Sequence, residues 1–122
     1  MGVRTNTSKN YHFDMKQRVA MLSEIYKDND RIEVVSFNGL TVDLCKKLNC
    51  DIIVRGVRST TDMEYERAIA ESNKKLYAEI ETILLFSSPE VSSISSSIVR
   101  ELIRNKADVS RFVPNEILDM IY

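Results

Sequence analysis

Short apolar runs alternate along this chain with segments whose apolar residues recur every three or four positions. The runs predict strands at residues 32–37, 51–55 and 80–86, and residues 2–6 are typical of the end of a strand that then enters a loop. The helical spacing predicts helices at residues 15–26, 40–48, 62–77 and about 95–104, and a last helix that begins at Pro114. Strands that alternate with helices in this way are typical of parallel βαβ units. We therefore expect an α/β fold with a Rossmann-like, doubly wound parallel sheet.

Capping signals support three of these helix starts. Asp14 with Gln17, and Thr61 with Glu64, have the spacing of a capping box. Ser95 or Ser96 stands where a serine would cap the fourth helix. The last apolar residues of the strand at 80–86 form an unbroken run, which predicts a strand covered on both faces.

Length and composition narrow the class of protein. The 122 residues predict one α/β domain, 1–122, with no internal boundary. The net charge of −1 gives no overall basic field for nucleic acid, and no apolar run is long enough to cross a membrane. Cys45 and Cys50 form no disulfide framework, which fits the reducing cytoplasm. We expect both thiols to be small buried hydrophobic groups.

The segment at residues 52–58, Ile-Ile-Val-Arg-Gly-Val-Arg, carries the strongest chemical signal. It predicts a buried strand that ends in two arginines, Arg55 and Arg58, separated by Gly56 and Val57. Ligands of open α/β sheets bind at the carboxyl ends of strands, and guanidinium groups donate paired hydrogen bonds to phosphate. We interpret the pair as a phosphate site, and the alternative is two surface charges on a loop.

A serine-rich segment at residues 87–97 provides a second candidate. Ser95, Ser96 and Ser97 precede a helix, whose amino end carries unpaired N–H groups and a partial positive charge. Plain capping needs only one serine, so three in succession favour anion binding. Lys9 and the lone His12, taken alone, are more typical of solvated loop residues.

These motifs occur together in one known family. The chain is similar to bacterial phosphopantetheine adenylyltransferases along nearly its whole length. The matching segments are Asn-Thr-Ser-Lys (6–9) leading to Phe13, Gln-Arg-Val (17–19), Ile-Glu-Val-Val (32–35), Ile-Val-Arg-Gly-Val-Arg (53–58) with Asp-Met-Glu-Tyr-Glu (62–66), Pro-Glu (89–90) with Ser-Ile-Ser-Ser-Ser (93–97), and Phe-Val-Pro (112–114).

The resemblance implies a cytoplasmic nucleotidyltransferase of coenzyme A biosynthesis. Such an enzyme transfers the adenylyl group of ATP to 4′-phosphopantetheine, giving dephospho-coenzyme A and pyrophosphate, with Mg²⁺ as cofactor. Coenzyme A is implied as a product-like ligand, and a hexamer as the assembly. No residue of this chain is assigned to a metal.

The resemblance also implies roles for individual residues. Lys9 and Arg55 would hold the acceptor, and Thr41 would contact its pantetheine arm. The implied ATP-binding residues are Gly56, Val57, Arg58, Glu66, Val91, Ser92, Ser93, Ile94, Ser95, Ser96 and Ser97. Arg58 and Ser96 would lie near the reacting phosphates, and with Lys9 they are the candidate catalytic residues.

The sequence departs from the family pattern at its amino end. Family members begin with a strand, a Gly-rich turn and a Thr/His-x-Gly-His motif, whose catalytic histidine has no match here. From this we expect a sheet that is incomplete at the N-terminus. For the assembly, both the family's hexamer and an altered homo-oligomer stay open. Three hypotheses stay open: an adenylyltransferase, a truncated and catalytically impaired chain that binds nucleotide or coenzyme A, and a structural α/β fragment.

Overall fold

Strands and helices alternate along the chain in the predicted order. The structure is a computed structural model that describes residues 1–5 and 11–122. Its strands are β1 (Gly2–Arg4), β2 (Val35–Phe37), β3 (Ile52–Val57) and β4 (Glu81–Phe86). Its helices are α1 (Met15–Ile25), α2 (Thr41–Leu48), α3 (Thr60–Leu76), α4 (Ser96–Arg104) and a short 3-10 helix (Asn115–Met120). The last helix is therefore a 3-10 helix that follows Pro114, and each other predicted element is present.

The strands pair in parallel, which confirms the α/β class. β1 pairs with β2, and β3 pairs with β4, so the described strands form two two-stranded sheets instead of one continuous sheet. The chain divides into two compact units. Unit 1 comprises residues 1–38 and 94–122, and unit 2 comprises residues 39–93. The assignment of residues 1–122 to one domain stays a prediction.

Unit 2 is built around one face of the β3–β4 sheet. Helix α3 packs against both strands and α2 packs against α3. Ile53 of β3 lies in a buried cluster with Cys45 and Ile80, against which the ring of Tyr77 packs. Because side chains alternate along a strand, the neighbouring residues point to the opposite face. Apolar side chains there are exposed, namely Ile52, Val54, Ile83 and Leu85. The expectation that the strand at 80–86 is covered on both faces is therefore wrong.

Helix α3 begins earlier than its sequence signal suggested. Ser59 is the N-cap, and its hydroxyl accepts a hydrogen bond from the backbone N–H of Asp62 at 3.1 Å. The predicted capping box of Thr61 and Glu64 is wrong, because Ser59 already satisfies an unpaired N–H of the first turn.

Unit 1 combines the β1–β2 sheet with α1, α4 and the 3-10 helix. Helix α1 packs against both strands and against the 3-10 helix. Its predicted capping box is confirmed: the Asp14 side chain accepts from the N–H of Gln17 at 2.8 Å, and the Gln17 side chain accepts from the N–H of Asp14 at 2.9 Å. The buried apolar residues of this unit are Val3, Met21, Ile103, Val109 and Ile117.

The two cysteines differ in environment. Cys45 is buried, as predicted, but Cys50 is exposed, so that part of the expectation is wrong. Asn49 ends α2 in the left-handed conformation, and Cys50 follows in the connection to β3.

In the part of the chain that the structure describes, no helix is long and apolar enough to cross a bilayer.

Candidate functional site

The carboxyl end of β3 carries the two predicted arginines of unit 2. Side chains alternate along the strand, so Arg55 shares the face of the buried residues Ile53 and Val57. Val57 is 0% exposed and anchors the end of the strand against the core. Arg58 is the first residue after β3, one position before the N-cap of α3. Arg55 therefore points toward α3 from the strand itself.

Arg55 forms a two-pronged ion pair with Glu66 of α3. Its Nε donates to Glu66 Oε2 at 2.8 Å, and its Nη2 donates to Glu66 Oε1 at 2.7 Å. Glu66 is 8% exposed and is a buried charged residue, whereas the Arg55 side chain is 50% exposed. The hydrogen bond that Arg55 donates to Glu66 is the main reason that the pKa of Arg55 is raised above its usual value. Arg55 is thus a permanent cation held in one orientation.

Arg58 contacts an acidic residue of the same helix. Its Nε donates to Asp62 Oδ2 at 3.1 Å, and its backbone N–H donates to the same oxygen at 3.2 Å. These bonds from Arg58 lower the pKa of the Asp62 carboxyl below its ordinary value. Both side chains are partly exposed, at 41% and 32%, so a solvent ligand can reach this ion pair.

Pairing of Arg55 with Glu66 was missed by the sequence reasoning, which assigned these residues to two different substrates. The signal was present in the strand alternation: Arg55 lies on the same face as Ile53 and Val57, and so it faces the helix. The contribution of Asp62 was missed as well, because its position suggested only the first turn of a helix.

In the serine-rich segment, some hydroxyl groups form hydrogen bonds within the protein and others are exposed to solvent. Ser95 is the N-cap of α4, and its Oγ accepts from the N–H of Ile98 at 3.3 Å. Ser97 Oγ accepts from Nη2 of Arg100 at 3.2 Å, and Ser92 Oγ donates to the carbonyl of Pro89 at 3.0 Å. Within the described residues, Ser96 makes no side-chain hydrogen bond. Capping therefore uses Ser95 and leaves the Ser96 hydroxyl available.

A cavity of about 700 Å³ opens in unit 1 beside the amino end of α4. Its walls bring together aromatic, basic and hydroxyl side chains: Tyr11, His12, Phe13, Arg18, Ser96, Ser97, Val99, Arg100 and Ile103. Of the predicted site residues, Ser96 and Ser97 line it. Arg18 and Arg100 were not singled out from the sequence, because isolated arginines on helices are usually solvated.

The remaining predicted residues are distributed over both units. Thr41 is the first residue of α2 and is partly buried, and Val91 and Ser93 are exposed in the segment that follows β4. Lys9 lies outside the described residues. Arg55, Arg58 and Glu66 belong to unit 2, whereas residues 94–97 belong to unit 1. Convergence of the arginines and serines on one ligand therefore stays a prediction.

No protein-held metal site is present in the described part of the chain. Within residues 1–5 and 11–122, no group of three His, Cys, Asp or Glu side chains is arranged to hold a metal ion. The carboxylates beside the two arginines, Asp62 and Glu66, are each hydrogen-bonded to a guanidinium.

Comparison with known proteins identifies the family of this chain. A sequence model of the cytidylyltransferase-like family matches residues 1–102. A phosphopantetheine adenylyltransferase of Lachnoclostridium phytofermentans is 46% identical over 122 residues, which cover 100% of this chain and 75% of that protein. One from Bacteroides thetaiotaomicron is 46% identical over 114 residues (93% of this chain, 75% of that protein). One from Flavobacterium psychrophilum is 44% identical over 117 residues (96% and 77%). This chain belongs to the phosphopantetheine adenylyltransferase family, within the cytidylyltransferase-like group of proteins.

Proposed function

We propose that this chain is a nucleotidyltransferase that moves the adenylyl group of ATP onto 4′-phosphopantetheine, with dephospho-coenzyme A and pyrophosphate as products. The observation that carries the proposal is the Arg55 guanidinium, fixed by two hydrogen bonds to Glu66 while half of its side chain remains exposed. A cation held in this way can bind an anionic substrate without first losing rotamer freedom. The relatives named phosphopantetheine adenylyltransferase support the choice of substrates.

The reaction needs little covalent chemistry from the protein. An oxygen of the acceptor phosphate attacks the α-phosphorus of ATP and forms a new P–O bond. The bond between the α-phosphorus and the oxygen that bridges to the β-phosphate breaks, and its electron pair leaves with pyrophosphate. Two anions must be brought together in line, so positioning and charge stabilisation supply the catalysis.

The residues divide between the two substrates in this proposal. Lys9 and Arg55 hold the phosphate of the acceptor, and Thr41 contacts its pantetheine arm. Arg58 and Ser96 contact the reacting phosphates of ATP, and the partial positive charge at the amino end of α4 adds to them. The remaining ATP contacts come from Gly56, Val57, Glu66 and residues 91–97.

The pairing of Arg55 with Glu66 suggests how the two substrate sites communicate. Glu66 is assigned to the ATP site and Arg55 to the acceptor, yet they share two hydrogen bonds. A ligand that reorients Glu66 would therefore also reorient Arg55. Binding of one substrate would in this way prepare the position of the other.

Mg²⁺ is proposed as a companion of the nucleotide. The described residues do not fit a resident magnesium site, since Asp62 and Glu66 are engaged by arginines. Magnesium commonly keeps water ligands and binds substrate phosphates with few protein carboxylates. We assign no step to the metal.

The resemblance and the composition also support proposals about the surroundings of the chain. We propose a hexameric assembly, a cytoplasmic location, and no nucleic-acid or membrane partner.

Release of pyrophosphate tests the proposed reaction. The chain is mixed with ATP, 4′-phosphopantetheine and magnesium, and pyrophosphate is measured by a coupled assay while dephospho-coenzyme A is measured by mass spectrometry. We expect both products to appear in equal amounts, and only when both substrates are present. Pyrophosphate without dephospho-coenzyme A, or no turnover at all, would contradict the proposal.

Calorimetry and sedimentation complete the test. Titration of ATP and of coenzyme A into the chain should release or absorb heat with saturation. Binding without turnover would favour the hypothesis of an impaired chain, and no binding would favour a structural fragment. Sedimentation equilibrium measures the assembly directly, and a monomer at micromolar concentration would contradict the proposed hexamer.

A further inference from the structure

The two cysteines of unit 2 lie at the two ends of one helix-termination motif. Helix α2 ends at Leu48, and Asn49 follows in the left-handed conformation. The backbone N–H of Cys50 donates to the carbonyl of Cys45 at 2.8 Å. The N–H of Asn49 donates to the carbonyl of Lys46 at 3.3 Å. This pair of hydrogen bonds defines a Schellman motif, in which the chain turns back over the last turn of the helix.

The motif brings the side chains of the two cysteines together. In a Schellman motif the residues joined by the outer hydrogen bond, here Cys45 and Cys50, commonly pack against each other. The Cys50 Sγ donates to the carbonyl of Leu48 at 3.7 Å, so this thiol lies over the last turn of α2. A disulfide bond requires two closely spaced Cα atoms, and a direct hydrogen bond between the two backbones favours that spacing.

The electrostatic coupling of the two thiols agrees with this proximity. Burial is the main cause that raises the pKa of Cys45, and the neighbouring Cys50 raises it further. The Cys45 residue is buried, whereas Cys50 is exposed. A reagent in solvent therefore reaches Cys50 first, and Cys45 is shielded from the reagent but has Cys50 as a neighbour.

The pair has no role in the proposed reaction and does not complete a metal site. Cys45 packs in the core with Ile53 and Ile80, and neither thiol is assigned to a substrate. In residues 1–5 and 11–122, no group of three His, Cys, Asp or Glu side chains is arranged around a metal position. The chemistry that remains for two adjacent thiols is reaction with each other.

We propose that hydrogen peroxide converts Cys45 and Cys50 into a reversible internal disulfide, with Cys50 as the thiol that is oxidised first and Cys45 as the thiol that resolves it. This inference does not depend on the proposed function. In a reducing compartment the bond is transient, because thiol–disulfide exchange returns both residues to thiols once the oxidant is consumed.

The chemistry runs in two steps. The Cys50 thiolate attacks one oxygen of hydrogen peroxide, so that an S–O bond forms and the O–O bond breaks. The departing hydroxide takes up the proton that the thiol had released and becomes water; the sulfur is oxidised to a sulfenic acid and the peroxide is reduced. The Cys45 sulfur then attacks the sulfenic sulfur, an S–S bond forms and the S–O bond breaks. The second hydroxide takes the proton of the Cys45 thiol and leaves as water.

Peptide mapping without reductant tests the inference on the complete chain. Lys46 and Lys47 lie between the two cysteines, so trypsin separates them into the peptides 32–46 and 48–55. After brief treatment of the reduced chain with hydrogen peroxide, we expect these two peptides to be joined, with a mass about 2 Da below their sum. On a non-reducing denaturing gel the chain should remain a single polypeptide, and dithiothreitol should restore both thiols.

Two cysteine variants separate the two steps. Cys45→Ala should retain only the first step, so dimedone, which labels sulfenic acids, should label Cys50 after peroxide treatment. In the unchanged chain we expect this labelling to be about 5-fold lower or less, because the disulfide consumes the sulfenic acid. Cys50→Ser should show neither the label nor the joined peptides, since Cys45 alone is shielded from the oxidant.

Asn49 provides a matched control for the geometry of the motif. Asn49→Gly keeps the left-handed conformation, so the rate of disulfide formation should stay within about 2-fold of the unchanged chain. Asn49→Val disfavours this conformation, because a β-branched side chain is strained there, and it should slow disulfide formation about 5-fold or more. Circular dichroism checks that both variants remain folded.

Three results would overturn the inference. The first is oxidation of Cys50, or of neither cysteine, without joined peptides 32–46 and 48–55. The second is a disulfide that forms only between two chains. The third is an equal rate of disulfide formation in folded Asn49→Gly and Asn49→Val, which would show that the motif does not hold the thiols together. Pyrophosphate release from the reduced chain measures the proposed function separately, so neither result decides the other.

Discussion

Glu66 accepts two hydrogen bonds from Arg55, at 2.8 and 2.7 Å, and thereby joins the end of β3 to the middle of α3. The carboxylate is nearly buried, whereas the guanidinium is half exposed. The pair is therefore asymmetric: one partner is fixed by the core, and the other presents its remaining N–H groups to solvent. Such an arrangement orients a cation for an incoming phosphate and limits the entropy lost on binding.

Replacing Glu66 with Gln should weaken both stability and acceptor binding. The amide can accept only one of the two hydrogen bonds, and it leaves the Arg55 charge without its partner. We expect the free energy of unfolding to fall by about 1–3 kcal/mol, at the lower end because Arg55 remains solvated. Urea denaturation followed by circular dichroism measures the change, and pyrophosphate release measures the accompanying rise in KM for 4′-phosphopantetheine.

Glu71→Gln supplies the control for that variant on the same helix. Glu71 pairs with Arg67 at 2.9 Å, but both side chains are well exposed, at 60% and 77%. An exposed pair of this kind contributes about 0.5 kcal/mol or less. Equal losses of stability in the two variants would show that the burial of Glu66 has no special effect.

Replacing Arg55 with Lys tests the geometry of the guanidinium apart from its charge. Lysine keeps the cation but cannot span both oxygens of Glu66 or donate a planar pair to phosphate. We expect kcat/KM for 4′-phosphopantetheine to fall by about 10-fold or more, in line with the loss of one charge-assisted hydrogen bond. Arg67→Lys, on an exposed pair, should leave the kinetics unchanged. Equal values of kcat/KM for Arg55→Lys and Arg67→Lys would exclude a role for the planar, two-donor geometry of the Arg55 guanidinium.

The sequence predicted the elements well because each has a local cause. Apolar runs, the Asp14–Gln17 box and the Ser95 cap all act within a few residues, and the structure retains them. Pairing of Arg55 with Glu66 and the cavity between α1 and α4 depend on contacts between distant segments. The exposure of Ile83 and Leu85 was not predicted for the same reason. An apolar run shows that both faces of a strand are apolar, but it does not show which other segments of the chain cover each face.

Ser95 and Ser96 should respond in opposite ways to replacement with Ala. Ser95 caps α4, so Ser95→Ala should lower the free energy of unfolding by about 0.5–2 kcal/mol. Ser96 has no such structural contact in the described residues, so Ser96→Ala should leave stability nearly unchanged but lower kcat/KM for ATP. Denaturation curves and pyrophosphate release measure the two effects. Loss of stability in both variants, with equal kinetics, would refute an anion-binding role for Ser96.

The Asp62 carboxyl should titrate at lower pH in this chain than after replacement of Arg58 with Gln. The side-chain hydrogen bond from Arg58 is the main cause that lowers the pKa of Asp62 below 3.8. A lowered pKa in the folded state means that this contact stabilises the fold above the unfolded pKa, and that the contribution is lost as the pH falls through the folded value. Carbon NMR measures the titration directly.

An internal reference for that titration is Asp108. Its pKa is lowered chiefly by the backbone N–H of Ser110, which donates to Asp108 Oδ1 at 2.9 Å. Arg58→Gln removes no hydrogen bond from Asp108, so its titration should not move. If the pKa of Asp62 also stays in place in the variant, the ion pair with Arg58 does not form in solution.

The two cysteines should alkylate at very different rates. Cys45 is 6% exposed, and burial is the main reason that its pKa is raised above 9.0, with a further contribution from Cys50. The thiolate is the reactive form, so Cys45 is protected both by its protonation and by the core around it.

Mass spectrometry after iodoacetamide at neutral pH should find one modification, on Cys50. Cys50→Ser should abolish the fast reaction, Cys45→Ala should retain it, and urea should accelerate only the reaction of Cys45. Fast modification of Cys45 in native buffer would show that the core of unit 2 opens readily.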